Sequence, residues 1–218
     1  MTREGSEAHL EWLKHNYEHL IEGVVEGEME PAELAGQIAD KIVGLETESI
    51  RDRMTGVFNR GLVGVMLGHE LKQGLVGVIF LDVDKFKSIN DEEPDKHEAG
   101  DRALIAAAEI LMEVVDDIGV VGRWGGEEFI IVMPKVDEKG IWKLGVKIGQ
   151  KIRDELAGRA KLERSKVTAS LGVVLGRVGQ NATEVIDMAD KLLYKAKEGG
   201  RNRMVMVKNG KEVVEEFG

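Results

Sequence analysis

Residues 122–134 read GRWGGEEFIIVMP: two glycines, two adjacent glutamates, then an apolar run closed by proline. As a backbone pattern this is a β-hairpin. Gly125 and Gly126 suit the positive φ of a tight turn, and residues 129–134 have the composition of a buried strand. Acidic residues are depleted in strands, yet Glu127 and Glu128 stand side by side where the chain leaves the turn. A pair of like charges beside a buried strand is most easily tolerated if something positive meets it.

Outward from this hairpin the chain alternates between the periods of strand and helix. VVGRW (120–124) is its first arm, and LVGVIFLDV (75–83) is apolar on both faces, as a central strand covered on two sides must be. Helical patterns occupy 97–115, 137–156 and 182–200, the last ended by Gly199-Gly200, and strands are expected at 166–176 and 203–207. The order β-α-β-β-α-β with a further helix and strand predicts a mixed central sheet flanked by helices, an α/β (α+β) architecture.

The 218 residues are 43% hydrophobic, enough for a core, and include no cysteine, which removes disulfides, thiolate metal sites and cysteine nucleophiles. No 18-residue apolar run is present, and MTREGSEAHLEW lacks an apolar signal segment, so a cytoplasmic protein with no membrane span is the expectation. The net charge of −10 is concentrated at the front. Residues 1–50 hold three basic and twelve acidic residues, leaving 27 basic and 28 acidic in residues 51–218. No basic stripe argues for nucleic acid.

Within residues 1–50, Leu10, Leu13, Tyr17, Leu20, Ile21 and Val24 form one helical stripe, and Leu34, Ile38, Ile42 and Leu45 form a second beyond Pro31. This region is expected to be a helical hairpin, either capping the domain of residues 51–218 or acting as a stalk that pairs two chains.

The chemistry concentrates at strand ends. Asp82 and Asp84 close the central strand, and Glu127 and Glu128 follow the hairpin turn. If the hairpin pairs with the central strand, Asp82 and the glutamates converge, and hard oxygen ligands of this kind favour Mg²⁺ or Mn²⁺. After Asp84 the chain enters KFKSIN, where helix N-terminal amides and Lys87 would face an anion. Lys197 and Arg201, four apart, offer a second basic pair, and the glycines leave bare backbone for a nucleotide to lie against. Together these imply a metal-dependent nucleotide site.

DRMTGVFNR (52–60), LDVDKFKSIN (81–90), HEAGD (97–101), RWGGEEF (123–129), TASLGVV (168–174) and ADKLLYKAKEGGRNR (189–203) together resemble the successive motifs of the GGDEF family, in the family's order. The resemblance implies the GGDEF, nucleotidyl-cyclase palm-like fold and a diguanylate cyclase, joining two GTP molecules into cyclic di-GMP across a homodimer. It further implies that Asp82, the Val83 carbonyl and Glu127 hold Mg²⁺, with Glu128 completing the carboxylate group. The amides of Phe86 and Lys87 would cradle phosphates, Lys197 and Arg201 would neutralise them, and Asn90 and Asp101 would read guanine. A sensor domain or partner upstream belongs to the same expectation.

Two departures stand out. Where many relatives carry an Arg-x-x-Asp product clamp, this chain has Asp116, Asp117, Ile118 and Gly119, so no inhibitory product site is expected. The segment NDEEPDKHEAGD (90–101) is about two residues longer than the usual pattern and has Lys96 in place of a glycine; His97 is expected to fix this loop. The competing readings are a non-catalytic GTP-binding signalling module, a polymerase palm, and a cyclase with a monomeric product.

Overall fold

The computed structural model describes residues 50–208 and 210–218. The helical readings on residues 1–49 lie outside them. Residues Asp52–Gly218 form one compact unit.

Its elements are β1 (Phe58–Asn59), α1 (Arg60–Gln73), β2 (Val76–Val83), α2 (Phe86–Glu92), α3 (His97–Val115), a one-turn 3₁₀ helix (Asp116–Ile118), β3 (Val120–Gly125), β4 (Glu128–Pro134), α4 (Glu138–Arg159), β5 (Ala169–Gly176), α5 (Ala182–Glu198), β6 (Arg203–Lys208) and β7 (Lys211–Glu216). The seven strands form one mixed sheet in the order β1-β3-β4-β2-β5-β6-β7. β1 runs parallel to β3 and β5 to β6, and the other neighbours are antiparallel. The central position of β2 follows from its composition: all eight residues are buried.

Side chains alternate across the strands, and two cores result. Ile79, Leu81, Phe129, Ile131, Leu171 and Val173 face α3 and α4, meeting Ala103, Ile110, Ile141 and Ile148. Val78, Phe80, Ile130, Val132 and Val174 face α1 and α5, meeting Val63, Leu67, Ala189 and Leu193.

Helix starts are set locally. Asp137 accepts from the Gly140 amide to open α4, and Asn181 with Glu184 forms a capping box at α5.

Candidate active site

The β2–β4 ladder places Asp82 directly opposite Glu128, with the Val83 N–H donating to the Glu127 carbonyl at 3.2 Å. The strand end and the hairpin bend are therefore neighbours, as the pairing of the two segments requires. The hairpin itself is tighter than its glycines suggest. Gly126 has φ 49°, but Gly125 pairs with Glu128 in the ladder and keeps extended backbone, so the expectation of positive φ at both glycines is corrected to Gly126 alone. Both glycines are exposed, and a Cβ on either would meet nothing within 4 Å, which leaves open space over this edge.

Arg123 braces the bend. Its Nε donates to the Gly126 carbonyl at 2.9 Å and its Nη1 to Asp52 Oδ1 at 3.1 Å, while Asp52 also accepts from the amide and hydroxyl of Thr55. Trp124 packs edge-on against Phe80, centroids 5.9 Å apart, and carries the Arg60 guanidinium 4.3 Å above its ring.

Burial pushes the Asp82 carboxyl up to about 6 against the opposing pull of Lys197, and the charges of Glu127 and Asp84 add to the rise. Burial also raises Glu128, with Lys197 and Arg60 opposing and Asp190 and Glu127 reinforcing. Lys197, from the last turn of α5, reaches Asp82 Oδ2 at 2.7 Å. A lysine expected to serve phosphates is thus the ion-pair partner of the buried carboxylate. Arg201 is exposed and forms no ion pair among the described residues.

Phe86 and Lys87 open α2, where first-turn amides have no intrahelical acceptor, and Lys87 is exposed. Asn90 packs against Gly100, the neighbour of exposed Asp101 in the first turns of α3, so the two expected guanine readers come together. His97 does not fix their loop: it is exposed at the first position of α3. Buried Glu93 does this instead, accepting the backbone N–H groups of Glu163, Arg164 and Ser165 at 2.8–2.9 Å. Arg164 adds a bond to the Glu92 carbonyl, and Arg102 ties Asp95 to the Ala160 carbonyl. Asp116 and Asp117 are exposed on the 3₁₀ turn, with no cationic side chain at 116–119 to clamp a phosphate.

Three roles escaped the sequence reading. Arg60 sits near Glu128; Thr168 and Ser170 hold Asp84; and Asn202 donates its amide to Asp84. Alternate positions on one strand do share a face, so Thr168 and Ser170 were detectable as a pair.

The oxygen donors at Asp82, Glu127 and the Val83 carbonyl fit Mg²⁺, which binds one or two carboxylates and completes its shell with water and phosphate. Among the described residues no group of three or more His, Cys, Asp or Glu side chains is placed to hold a metal ion.

The fold is a mixed α/β sheet domain in which an acidic strand end meets a lysine from the end of a helix. The protein-family model for "Diguanylate cyclase, GGDEF domain" matches residues 49–203, and the chain belongs to this family. It is 35% identical over 173 residues to the probable diguanylate cyclase DgcF of Escherichia coli (strain K12), covering 75% of this chain and 53% of that protein. The chain thus spans about half the length of this curated relative. Among solved structures, diguanylate cyclase SiaD in complex with its activator SiaC from Pseudomonas aeruginosa matches with TM-score 0.68 and 28% identity, over 93% of this chain and 78% of that one. The active GGEEF domain of a diguanylate cyclase from Vibrio cholerae matches with TM-score 0.62 and 27% identity, over 69% of this chain and 97% of that one. Among the described residues no helix is long and apolar enough to cross a membrane.

Proposed function

We propose that this chain condenses two GTP molecules into cyclic di-GMP with release of pyrophosphate, in a Mg²⁺-dependent reaction between two copies of the domain. The observation that carries the reading is the ladder register that sets Asp82 opposite Glu128 and beside Glu127, with Lys197 in contact.

Asp82, the Val83 carbonyl and Glu127 would hold the cation, and Glu128 adds charge to the group. When bound, the metal stabilises charge on the phosphates and eases ionisation of the attacking 3′-hydroxyl. The chain's own work is positioning and charge neutralisation. The amides of Phe86 and Lys87 and the cations Lys197 and Arg201 take the phosphates, while the Asp101 carboxylate accepts from the guanine N1–H and 2-amino group and the Asn90 carboxamide bonds the same base. Lys197 must leave Asp82 for the phosphates as the nucleotide and metal arrive, an exchange of one cation for another at the same carboxylate. Each domain offers one such set, so the 3′-hydroxyl of one GTP attacks the α-phosphate of a GTP held by a second copy, once in each direction.

Mass analysis of products from GTP, ATP and their mixture tests this: cyclic di-GMP with two pyrophosphates per product is expected from GTP, and GTP binding without pyrophosphate release overturns it. Asp82→Asn should lower turnover by roughly 100-fold. The variant should melt at or above the parent temperature at pH 7. With its pKa raised to about 6, the ionised Asp82 carboxylate is disfavoured in the fold above that pH, and the substitution removes this penalty.

Lys197 on Asp82 also favours a second reading, a non-catalytic GTP-binding signalling module, because a neutralised carboxylate draws a divalent cation less strongly. Product mass separates the two.

A further inference from the structure

Asp84 lies two residues beyond Asp82, is buried, and has its acceptor sites filled from three places. The hydroxyls of Thr168 and Ser170 each donate at 2.7 Å, and the Asn202 amide donates at 3.0 Å. The first two bonds bind it to the start of β5 and to the residue just before that strand. The third holds the turn between α5 and β6.

That turn is strained. Gly200, Arg201 and Asn202 have φ of 121°, 65° and 49° in succession. Positive φ is costly for a non-glycine residue, and two in a row persist only where the surroundings over-determine them. Here the Arg201 N–H bonds the Ala196 carbonyl at 3.0 Å, and the Phe217 N–H bonds the Asn202 carbonyl at 3.1 Å. Arg203 Nε bonds the Arg201 carbonyl at 3.0 Å. The residue whose backbone is so tightly held, Arg201, has an exposed side chain with no ion pair among the described residues.

We propose that Asp84 is a positioning residue: by gripping the Asn202 amide it fixes the left-handed turn that presents Arg201 to the nucleotide phosphates. This rests on the reading of Arg201 as a phosphate contact. It gives the second acidic residue of LDVD a role other than cation ligand.

The test is a double-mutant cycle on the full chain with Mg²⁺, reading the Kd of 3′-deoxy-GTP, which lacks the attacking hydroxyl and cannot turn over. Arg201→Ala and Asp84→Ala should each weaken binding roughly tenfold, and the double variant should be no weaker than either alone. Asp84→Asn keeps the side-chain volume and serves if the alanine variant fails to fold; it should weaken binding in the parent and leave Kd unchanged in the Arg201→Ala background. Leu156→Ala, a buried core change in α4, should lower the melting temperature without changing Kd, which separates positioning from lost stability. Additive losses, or Asp84 variants that bind like the parent, overturn the inference while leaving the phosphate role of Arg201 intact. If Arg201→Ala itself binds like the parent, both fall.

Discussion

At Gly172 two backbones meet. A Cβ there would stand 2.0 Å from the Ala189 carbonyl oxygen and 2.3 Å from the Leu193 nitrogen, so α5 lies on β5 only because this position has no side chain. The approach is what lets Lys197, one to two turns further along α5, reach Asp82. Gly172→Ala should cost roughly 3 kcal/mol, read as a fall of roughly 10 °C in Tm for a domain of this size. Glu93 is a second residue with an outsized role. Burial alone would raise its carboxyl, but three backbone N–H donors from Glu163, Arg164 and Ser165 hold it at about 2. A depressed carboxyl stabilises the fold above its unfolded value of about 4.3 and loses that contribution as pH falls toward 2. Melting curves of Glu93→Gln should therefore lie below the parent at neutral pH, by roughly 2 kcal/mol, and converge with it between about pH 4.3 and 2.

The element most altered from its expected pattern is the connection from α2 to α3. It is anchored: Glu93, Asp95, Arg102 and Arg164 staple it to the segment after α4. Asn90 and Asp101 are thus held at either end of a fixed loop. Lys96 sits at φ 50°, ψ −110°, where a glycine would be unstrained. Lys96→Gly should stabilise the domain by about 1 kcal/mol, seen as a higher urea midpoint at unchanged m. A midpoint that stays or falls would show that the loop carries no strain at this residue.

For the whole molecule, the proposed reaction joins two nucleotides while one copy offers a single set of the proposed contacts, so that proposal calls for a second copy. On that proposal, a stalk pairing two chains through the stripe read at Leu34, Ile38, Ile42 and Leu45 would raise the partner's local concentration. A chain beginning near Ser49 should keep the melting behaviour of the Asp52–Gly218 unit yet lose activity per chain as it is diluted, measured as pyrophosphate release against protein concentration. Constant specific activity on dilution would leave the stripes without this role.

The central strand, the opening hairpin, three long helices and the acidic strand ends could all be read along the chain, because each is a local pattern of period, turn residue or charge. Other elements had weak or overlooked local signals. α1 carries Gly61, Gly64 and Gly68 among its apolar residues, which blurs the stripe formed by Val63, Leu67 and Leu71. β7 completes a hairpin that Asn209-Gly210 announces in the sequence. What the order of residues could not supply is convergence. Lys197 meets Asp82 across 115 positions, and Asp84 grips an amide 118 positions away. Such contacts depend on how closely helix and sheet approach and on which turns are held under strain, and those are properties of the packed chain.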